Sequence, residues 1–144
     1  MLAGFALISA CDALPRDPAG TTDRILRERS MKIGFADRET AGEAPTTSLI
    51  RRLESATNAK AMIVDGSGEA LLKRLEYGEL DLAIGNFAAD SPWQTNVAFG
   101  PALRTSGKPS DALELKAAMR NGENRWIMTV EHASRAVAEP GAGR

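Results

Sequence analysis

The sequence has a single cysteine, no excess of either charge and no long apolar run. Its 18 basic and 19 acidic residues give a formal net charge of −1. This balance argues against a nucleic-acid partner, because binding phosphates needs a clustered positive excess. One cysteine excludes a disulfide within the chain, and no stretch approaches the roughly 18 apolar residues of a membrane-spanning helix. With 144 residues, the chain is long enough for one domain with a buried core.

The first ten residues are mostly apolar and lead into the cysteine. They end in Ser9 and Ala10, small residues of the kind found before the cleavage site of a secretory signal peptide. The run Leu7-Ile8-Ser9-Ala10-Cys11 resembles the lipobox of bacterial lipoproteins. This resemblance implies a lipoprotein-type signal peptide over residues 1–10 and acylation of the Cys11 sulfur. It also implies an exported protein held by its lipid anchor on the periplasmic side of the cell membrane.

One absence keeps a second interpretation of this segment open. No Lys or Arg precedes the apolar run, although signal peptides usually begin with positive charge. A free cysteine also behaves as a small apolar side chain that is often buried. The alternative to lipidation is therefore a Cys11 packed on an N-terminal strand or helix.

Composition divides the rest of the chain into a tether, one lobe and a short tail. Prolines, a glycine and polar residues between Asp12 and Thr22 are typical of a flexible linker, so residues 11–29 are predicted to be a tether. Residues 30–138 are predicted to form a single folded lobe. Residues 139–144 are predicted to be a flexible C-terminal tail.

Two hydrophobic periodicities alternate within the lobe, one typical of strands and one of helices. Strands are predicted over residues 31–36, 61–64 and 80–85, and helices over residues 46–58 and 69–77. This order predicts an α/β fold, a mostly parallel βαβαβ sheet flanked by helices, with right-handed connections. The apolar stripe of a later helix predicts that it covers the sheet; its residues are Trp126, Ile127, Val130 and Val137.

Ligands of open parallel sheets bind beyond the carboxyl ends of the strands. In this chain three loops follow the predicted strands, at residues 37–45, 65–68 and 86–93. Two of these loops lead into helix N-termini, whose free amides favour a negatively charged ligand group. The pattern therefore predicts a binding site at this edge without defining an activity.

The residues around the third strand are specific enough to carry a family resemblance. The run from Leu71 to Gly85 resembles the helix, Gly-Glu-x-Asp, apolar strand and glycine of solute-binding proteins of family 3. Residues 88–99 are similar to the part of those proteins that leads into the hinge, and residues 115–137 to their last strand, turn and helix. These proteins are extracytoplasmic receptors of ABC importers. The resemblance implies one lobe of the type 2 periplasmic binding protein fold, a small polar solute as ligand and a membrane transporter component as partner.

Three departures from that family limit what the resemblance implies. Between Leu103 and Ala112 the chain has only residues 104–111, which leaves no room for the second lobe that closes on the ligand. Trp93 stands where the amino-acid receptors of the family place an arginine that clamps the ligand carboxylate. A tryptophan offers either a flat apolar or cation-stacking surface or a half-buried packing anchor. The loop after the first strand offers Arg38 and no aromatic side chain.

The predicted ligand-binding residues are Asp37, Arg38, Asn86, Phe87, Asp90 and Trp93. They lead to the hypothesis of a membrane-anchored, substrate-binding-like protein that binds a small polar solute weakly for a transport system. A second copy of the chain, in a homodimer, is one source of the missing wall. The alternative is an interaction protein that has lost solute binding and contacts a membrane transporter or another protein.

An enzyme is not expected, because the acids near the cleft come with no partner for acid–base chemistry. Neither a metal nor a cofactor is expected, since His132 has no Cys or second His close to it in the sequence. Asp81 lies inside an apolar strand and is interpreted as a structural carboxylate.

Overall fold

The computed structural model describes residues 14–138. Cys11, the predicted signal peptide and the predicted C-terminal tail lie outside the described residues. Helices α1 to α4 span Thr21–Glu28, Ala44–Thr57, Gly68–Glu76 and Asn124–Ala138, and strands β1 to β6 span Ser30–Phe35, Lys60–Ile63, Leu82–Ala88, Val97–Phe99, Arg104–Ser106 and Leu113–Arg120. None of these four helices is both long and apolar enough to cross a membrane.

The six strands form one mixed sheet. Its main path runs β2-β1-β3-β6-β4, and β5 also pairs with β6. β1 pairs in parallel with both β2 and β3, as crossover helices between these strands require. β6 runs antiparallel to β3, β4 and β5. The predicted α/β lobe is confirmed, with the parallel part of the sheet limited to β1, β2 and β3.

Helices cover both faces of the sheet. One face carries α1, α2 and α4, and its buried cluster includes Ile25, Ile33, Leu53, Leu115 and Trp126. The other face carries α3, and its smaller cluster includes Leu71, Leu72, Leu75, Ala83 and Ala118. The predicted apolar stripe of the last helix is confirmed, because Trp126 and Val130 are fully buried and Ile127 and Val137 pack against the first cluster.

The structure places a helix, α1, inside the segment predicted to be a tether. Ile25 of α1 is fully buried in the larger cluster. The folded lobe therefore extends upstream of residue 30 and includes much of that segment. The eight residues of α1 contain a single buried apolar side chain, too little to reveal a helical period in the sequence.

Two carboxylates hold this end of the chain by capping the first turns of helices. Glu123 accepts hydrogen bonds from the backbone amides of Ala19 and Thr21, at 2.8 and 3.0 Å. Asp17 accepts from the amide of Thr22 at 2.9 Å, at the start of α1. Its other oxygen accepts from the amide of Trp126 at 3.0 Å, at the start of α4. The starts of α1 and α4 are thus fastened to each other.

The link between β5 and β6 is short and folded. It contains a single 3-10 turn, Pro109–Asp111, and the chain reverses at Gly107 with φ +89°. A Cβ at Gly107 would lie 3.0 Å from the Asp111 carbonyl oxygen, so the turn requires glycine on two counts. Just before β5, the amide of Leu103 donates to the Leu115 carbonyl at 2.7 Å. Residues 104–111 therefore close the lobe on itself at the place where a second lobe would be inserted in the resembling family.

Asp81, immediately before β3, ties three elements together and has the structural role predicted for it. One carboxylate oxygen pairs with Arg24 of α1, and the other accepts from the amide of Lys32 in β1 at 2.8 Å. Its backbone carbonyl accepts from the indole Nε1 of Trp126 in α4 at 2.8 Å. Burial alone lowers the pKa of Arg24, but the hydrogen bond and charge of Asp81 raise it above its ordinary value.

We expect Asp81→Ala to lower the free energy of unfolding by about 2–4 kcal/mol, because it leaves a buried amide and a partly buried guanidinium without their acceptor. Urea denaturation followed by circular dichroism measures this loss. Asp23→Ala is the matched control, since Asp23 is 72% exposed and, within residues 14–138, its ion-pair partner is Arg125 at the surface; it should change stability by less than about 0.5 kcal/mol. Equal effects of the two substitutions would contradict a central role for Asp81.

Candidate ligand-binding site

The carboxyl ends of β1 and β3 meet around Asp37. One of its oxygens accepts hydrogen bonds from the amide and the hydroxyl of Thr40, at 2.8 and 2.6 Å. The other accepts from the amide of Asn86 at 3.5 Å. The Asn86 side chain in turn donates to the Thr40 hydroxyl at 3.3 Å. Asp37 is therefore held in one place by the loop after β1 and by β3.

Asp37 stays ionised over the physiological range. Burial alone raises its pKa, but the hydrogen bonds from Thr40 and Asn86 favour the charged form more strongly. The pKa of Asp37 consequently lies below its ordinary value. A carboxylate has about four lone-pair positions, and three are taken by these donors, so acceptor capacity remains for a ligand.

Two adjoining cavities share Asp37 in their lining. The first, called the Trp93 cavity, has a volume of about 320 Å³ and is lined by Ala36, Asp37, Gly68, Glu69, Leu72, Asn86, Phe87, Pro92 and Trp93. The second, called the Arg38 cavity, has about 390 Å³ and is lined by Phe35, Asp37, Arg38, Ala41, Ile63, Val64, Asp65, Gly66 and Ser67. Both open at the carboxyl ends of the parallel strands, where the strand-end rule locates ligands.

The structure brings together most of the residues predicted from the sequence. Four of the six line the Trp93 cavity, namely Asp37, Asn86, Phe87 and Trp93. Arg38 lines the adjoining cavity instead. Asp90 is exposed and lines neither cavity, because it stands at the outer tip of the loop between β3 and the 3-10 turn Pro92–Thr95.

Trp93 is both a packing anchor and a binding surface, the two roles that its position in the sequence allows. It is half-buried and packs against the smaller core cluster, as a packing anchor does. It also lines the cavity, as a binding surface does. Its backbone is set by Ser91, whose hydroxyl oxygen accepts from the Trp93 amide at 3.4 Å.

Two acidic residues of the site were missed in the sequence. Glu69 lines the Trp93 cavity and Asp65 lines the Arg38 cavity. Within residues 14–138 neither carboxylate has a hydrogen-bond or ion-pair partner. Asp65 is the first residue of the predicted loop at residues 65–68 and Glu69 follows it directly. The strand-end rule therefore indicated this loop but did not single out these two side chains. With Asp37 they make three acids against one base, Arg38, around the two cavities.

A larger cavity, of about 640 Å³, lies elsewhere, between α2 and α4. Arg52, Met128 and His132 line it together with small residues of both helices. It lies on the sheet face that carries α1, α2 and α4, and its lining includes none of the strand-end loop residues. The strand-end cavities are the better candidates for a solute site, because their charged groups converge on a fixed carboxylate.

Solved structures with this fold include several amino-acid-binding proteins. The arginine-bound domain 1 of TmArgBP has a TM-score of 0.64 and 16% identity, with 79% of this chain and 98% of that chain covered. The ancestral amino acid-binding protein AncCDT-1, a precursor of cyclohexadienyl dehydratase, has a TM-score of 0.68 and 12% identity, with 84% of this chain and 94% of that chain covered. A periplasmic binding protein of Salmonella typhimurium with high arginine specificity has a TM-score of 0.61 and 8% identity, with 78% of this chain and 95% of that chain covered.

At these identities the likeness establishes the fold, which is that of a single lobe of a type 2 periplasmic binding protein. No family model matches the sequence, and no curated protein matches it significantly.

We expect Asp37→Asn to destabilise the protein at neutral pH and to do so less in acid. A carboxyl group whose pKa is lowered by folding contributes stability above its unfolded pKa, and this contribution is lost as pH falls below about 4. Urea unfolding of the wild type and the variant at pH 7 and pH 3 measures the difference. Glu39→Gln is the matched control at an exposed acid two residues away, and it should change stability by less than about 0.5 kcal/mol. If Asp37→Asn lowered the free energy of unfolding equally at both pH values, the stabilising role of the ionised Asp37 carboxylate would be contradicted.

Proposed function

We propose that this chain is an exported, membrane-anchored lobe that binds a small solute carrying a guanidinium or ammonium group. The observation that carries this proposal is the set of three carboxylates around the two cavities. Asp37 lines both, Glu69 lines the Trp93 cavity and Asp65 lines the Arg38 cavity. The carboxylates of Glu69 and Asp65, which have no partner within residues 14–138, favour a cationic ligand because a bound cation supplies the missing charge and hydrogen-bond donors. Aromatic faces attract cations in addition.

The division of the site around Asp37 suggests the shape of the ligand. The cation would lie in the Trp93 cavity, between Asp37 and Glu69. Arg38, in the adjoining cavity, is positioned to attract an anionic group of the same molecule. An amphoteric solute such as a basic amino acid would meet both requirements. Arginine, a solute of this kind, is bound by domain 1 of TmArgBP, and the Salmonella typhimurium protein has high arginine specificity.

One lobe offers a ligand a single wall, so we expect weak affinity. Tight small-molecule sites bury most of the ligand surface, and part of the binding free energy is offset by the cost of immobilising the ligand. The arginine-bound form of an isolated domain of TmArgBP supports the idea that one such lobe is enough to hold a solute.

Membrane anchoring and transport are further parts of the proposal. The lipobox-like run that ends at Cys11 supports lipidation, and the resemblance to family 3 over residues 71–99 supports delivery of the solute to a membrane transporter on the periplasmic side. The start of α1 is fastened at Asp17. Only a few residues then separate it from Cys11, so a lipid on this cysteine would hold the lobe close to the bilayer.

We expect L-arginine and putrescine at millimolar concentrations to raise the melting temperature, and L-glutamate to leave it unchanged. A ligand at ten times its Kd adds about 1.4 kcal/mol of stability, which corresponds to several degrees for a domain of this size. Glu69→Gln and Trp93→Ala should weaken binding at least tenfold in calorimetry. Glu39→Gln is the matched control, because Glu39 is exposed and lines neither cavity. If no cation shifts the melting temperature at 10 mM, the interaction protein described above becomes the better hypothesis.

Labelling cells with a radioactive fatty acid tests the anchor. The wild-type chain should take up label and sediment with membranes, whereas Cys11→Ala should do neither, because no other cysteine is present. Cys11→Ala should retain the melting temperature of the wild type. Label retained by Cys11→Ala would rule out lipidation at this position.

A further inference from the structure

Lys116 is a buried lysine on the sheet face that carries α3. It lies in β6 opposite Gly85 of β3 and is only 4% exposed. Its ammonium pairs with Glu114 at 2.7 Å and stands 4.7 Å from the centre of the Phe99 ring. Phe99 in turn packs on Phe87, with the ring centres 5.1 Å apart.

Stability does not account for a charged residue at this position. Moving an ammonium group out of water is costly, and its attraction to a carboxylate repays that cost only in part. Replacement of a buried ion pair by apolar side chains is often neutral or stabilising. The role of Lys116 therefore lies in the groups that its ammonium holds in place.

The third partner of the ammonium is the backbone of the loop that carries Trp93. Lys116 Nζ donates to the carbonyl oxygen of Ala88, the last residue of β3, at 3.4 Å. The same oxygen accepts from the amide of Ser91 at 3.2 Å. Ser91 is itself buried, and its hydroxyl accepts from the Trp93 amide. A continuous chain of contacts thus runs from Lys116 through Ala88 and Ser91 to Trp93.

We propose that Lys116 is a positioning residue for the Trp93 wall of the candidate site. Its ammonium fixes the Ala88 carbonyl, and the turn closed by Ser91 transmits that position to Trp93. Without the ammonium, the Ala88 carbonyl keeps one donor and the loop gains freedom at its base. Glu114 balances the charge, so the lysine adds no net positive charge beside a site rich in carboxylates. The inference rests on the proposed solute binding only where affinity is measured, because the position of Trp93 is observable without a ligand.

Acrylamide quenching of tryptophan fluorescence in the full chain tests the proposal. The protein has two tryptophans; Trp126 is fully buried and supplies a constant background, measured with Trp93→Phe. Lys116→Met keeps the unbranched stem and removes the ammonium. We expect it to increase the quenching of Trp93 about twofold through local loosening of the loop and to lower the melting temperature by a few degrees, because the partly buried Glu114 loses its partner. L-arginine should bind about fivefold more weakly, the equivalent of one hydrogen bond.

Lys32→Met is the matched control, since Lys32 is an exposed lysine on β1 with no contact to the loop; it should leave Trp93 quenching unchanged. Unchanged quenching in Lys116→Met, or an equal rise in Lys32→Met, would overturn the proposal, and so would a large fall in melting temperature with Trp126 becoming accessible.

If Lys116→Met does not fold, Ser91→Ala interrupts the same chain of contacts while the lysine stays in place. Normal Trp93 quenching in Ser91→Ala would then overturn it. A wild-type protein that ignores L-arginine would count against the proposed function and leave the quenching comparison valid.

Discussion

The buried carboxylate of Asp81 is the interaction on which the arrangement of the lobe depends. It binds Arg24 of α1 and the amide of Lys32 in β1, while its carbonyl accepts from Trp126 of α4. These partners are distant in sequence, so the contacts form only once the sheet is assembled with both helices on one face. A charged group in this position needs every one of its partners. The Asp81 contacts therefore favour one way of packing α1 and α4 on the sheet. Apolar contacts alone would define that packing less well, because they have no preferred direction.

That packing places the strand ends, and the strand ends carry the site. Asp37 is fixed by donors from the loop after β1 and from β3, and two cavities adjoin it. On the far side of the sheet from α4, Lys116 and Ser91 hold the loop that carries Trp93. The same edge thus combines a rigid anionic centre with an aromatic wall. Such an arrangement suits a small cation, although a single lobe leaves one side of it open to solvent.

Much of the fold could be predicted, because its strands and helices carry strong hydrophobic periods. The segments 46–58, 69–77 and 80–85 were recognised as α2, α3 and β3 within a few residues. α1 was missed because its amphipathic pattern is too short and follows proline-rich residues. Within the site, Asp37, Asn86, Phe87 and Trp93 were found by the strand-end rule and line one cavity. Asp90 was included because it follows the same strand, but its position at the loop tip turns it away. Lys116 was missed because a lysine in an alternating strand normally faces solvent.

The amino-acid sequence by itself determined the α/β class, the crossover connections and the edge of the sheet where a ligand would bind. These follow from local periodicity and from the handedness of strand–helix–strand units. The sequence also determined that there is one lobe here, because residues 104–111 are too few to form a second one. Only the tertiary structure decided which carboxylates remain unpaired, since pairing depends on partners distant in the chain. Among residues 14–138, the carboxylates of Glu69 and Asp65 have no partner, whereas both carboxylate oxygens of Asp81 and of Glu123 are bound. Lys116 is buried. The chemistry of the site follows from that division, because an unpaired charge beside a cavity attracts a ligand whereas a paired one holds the fold.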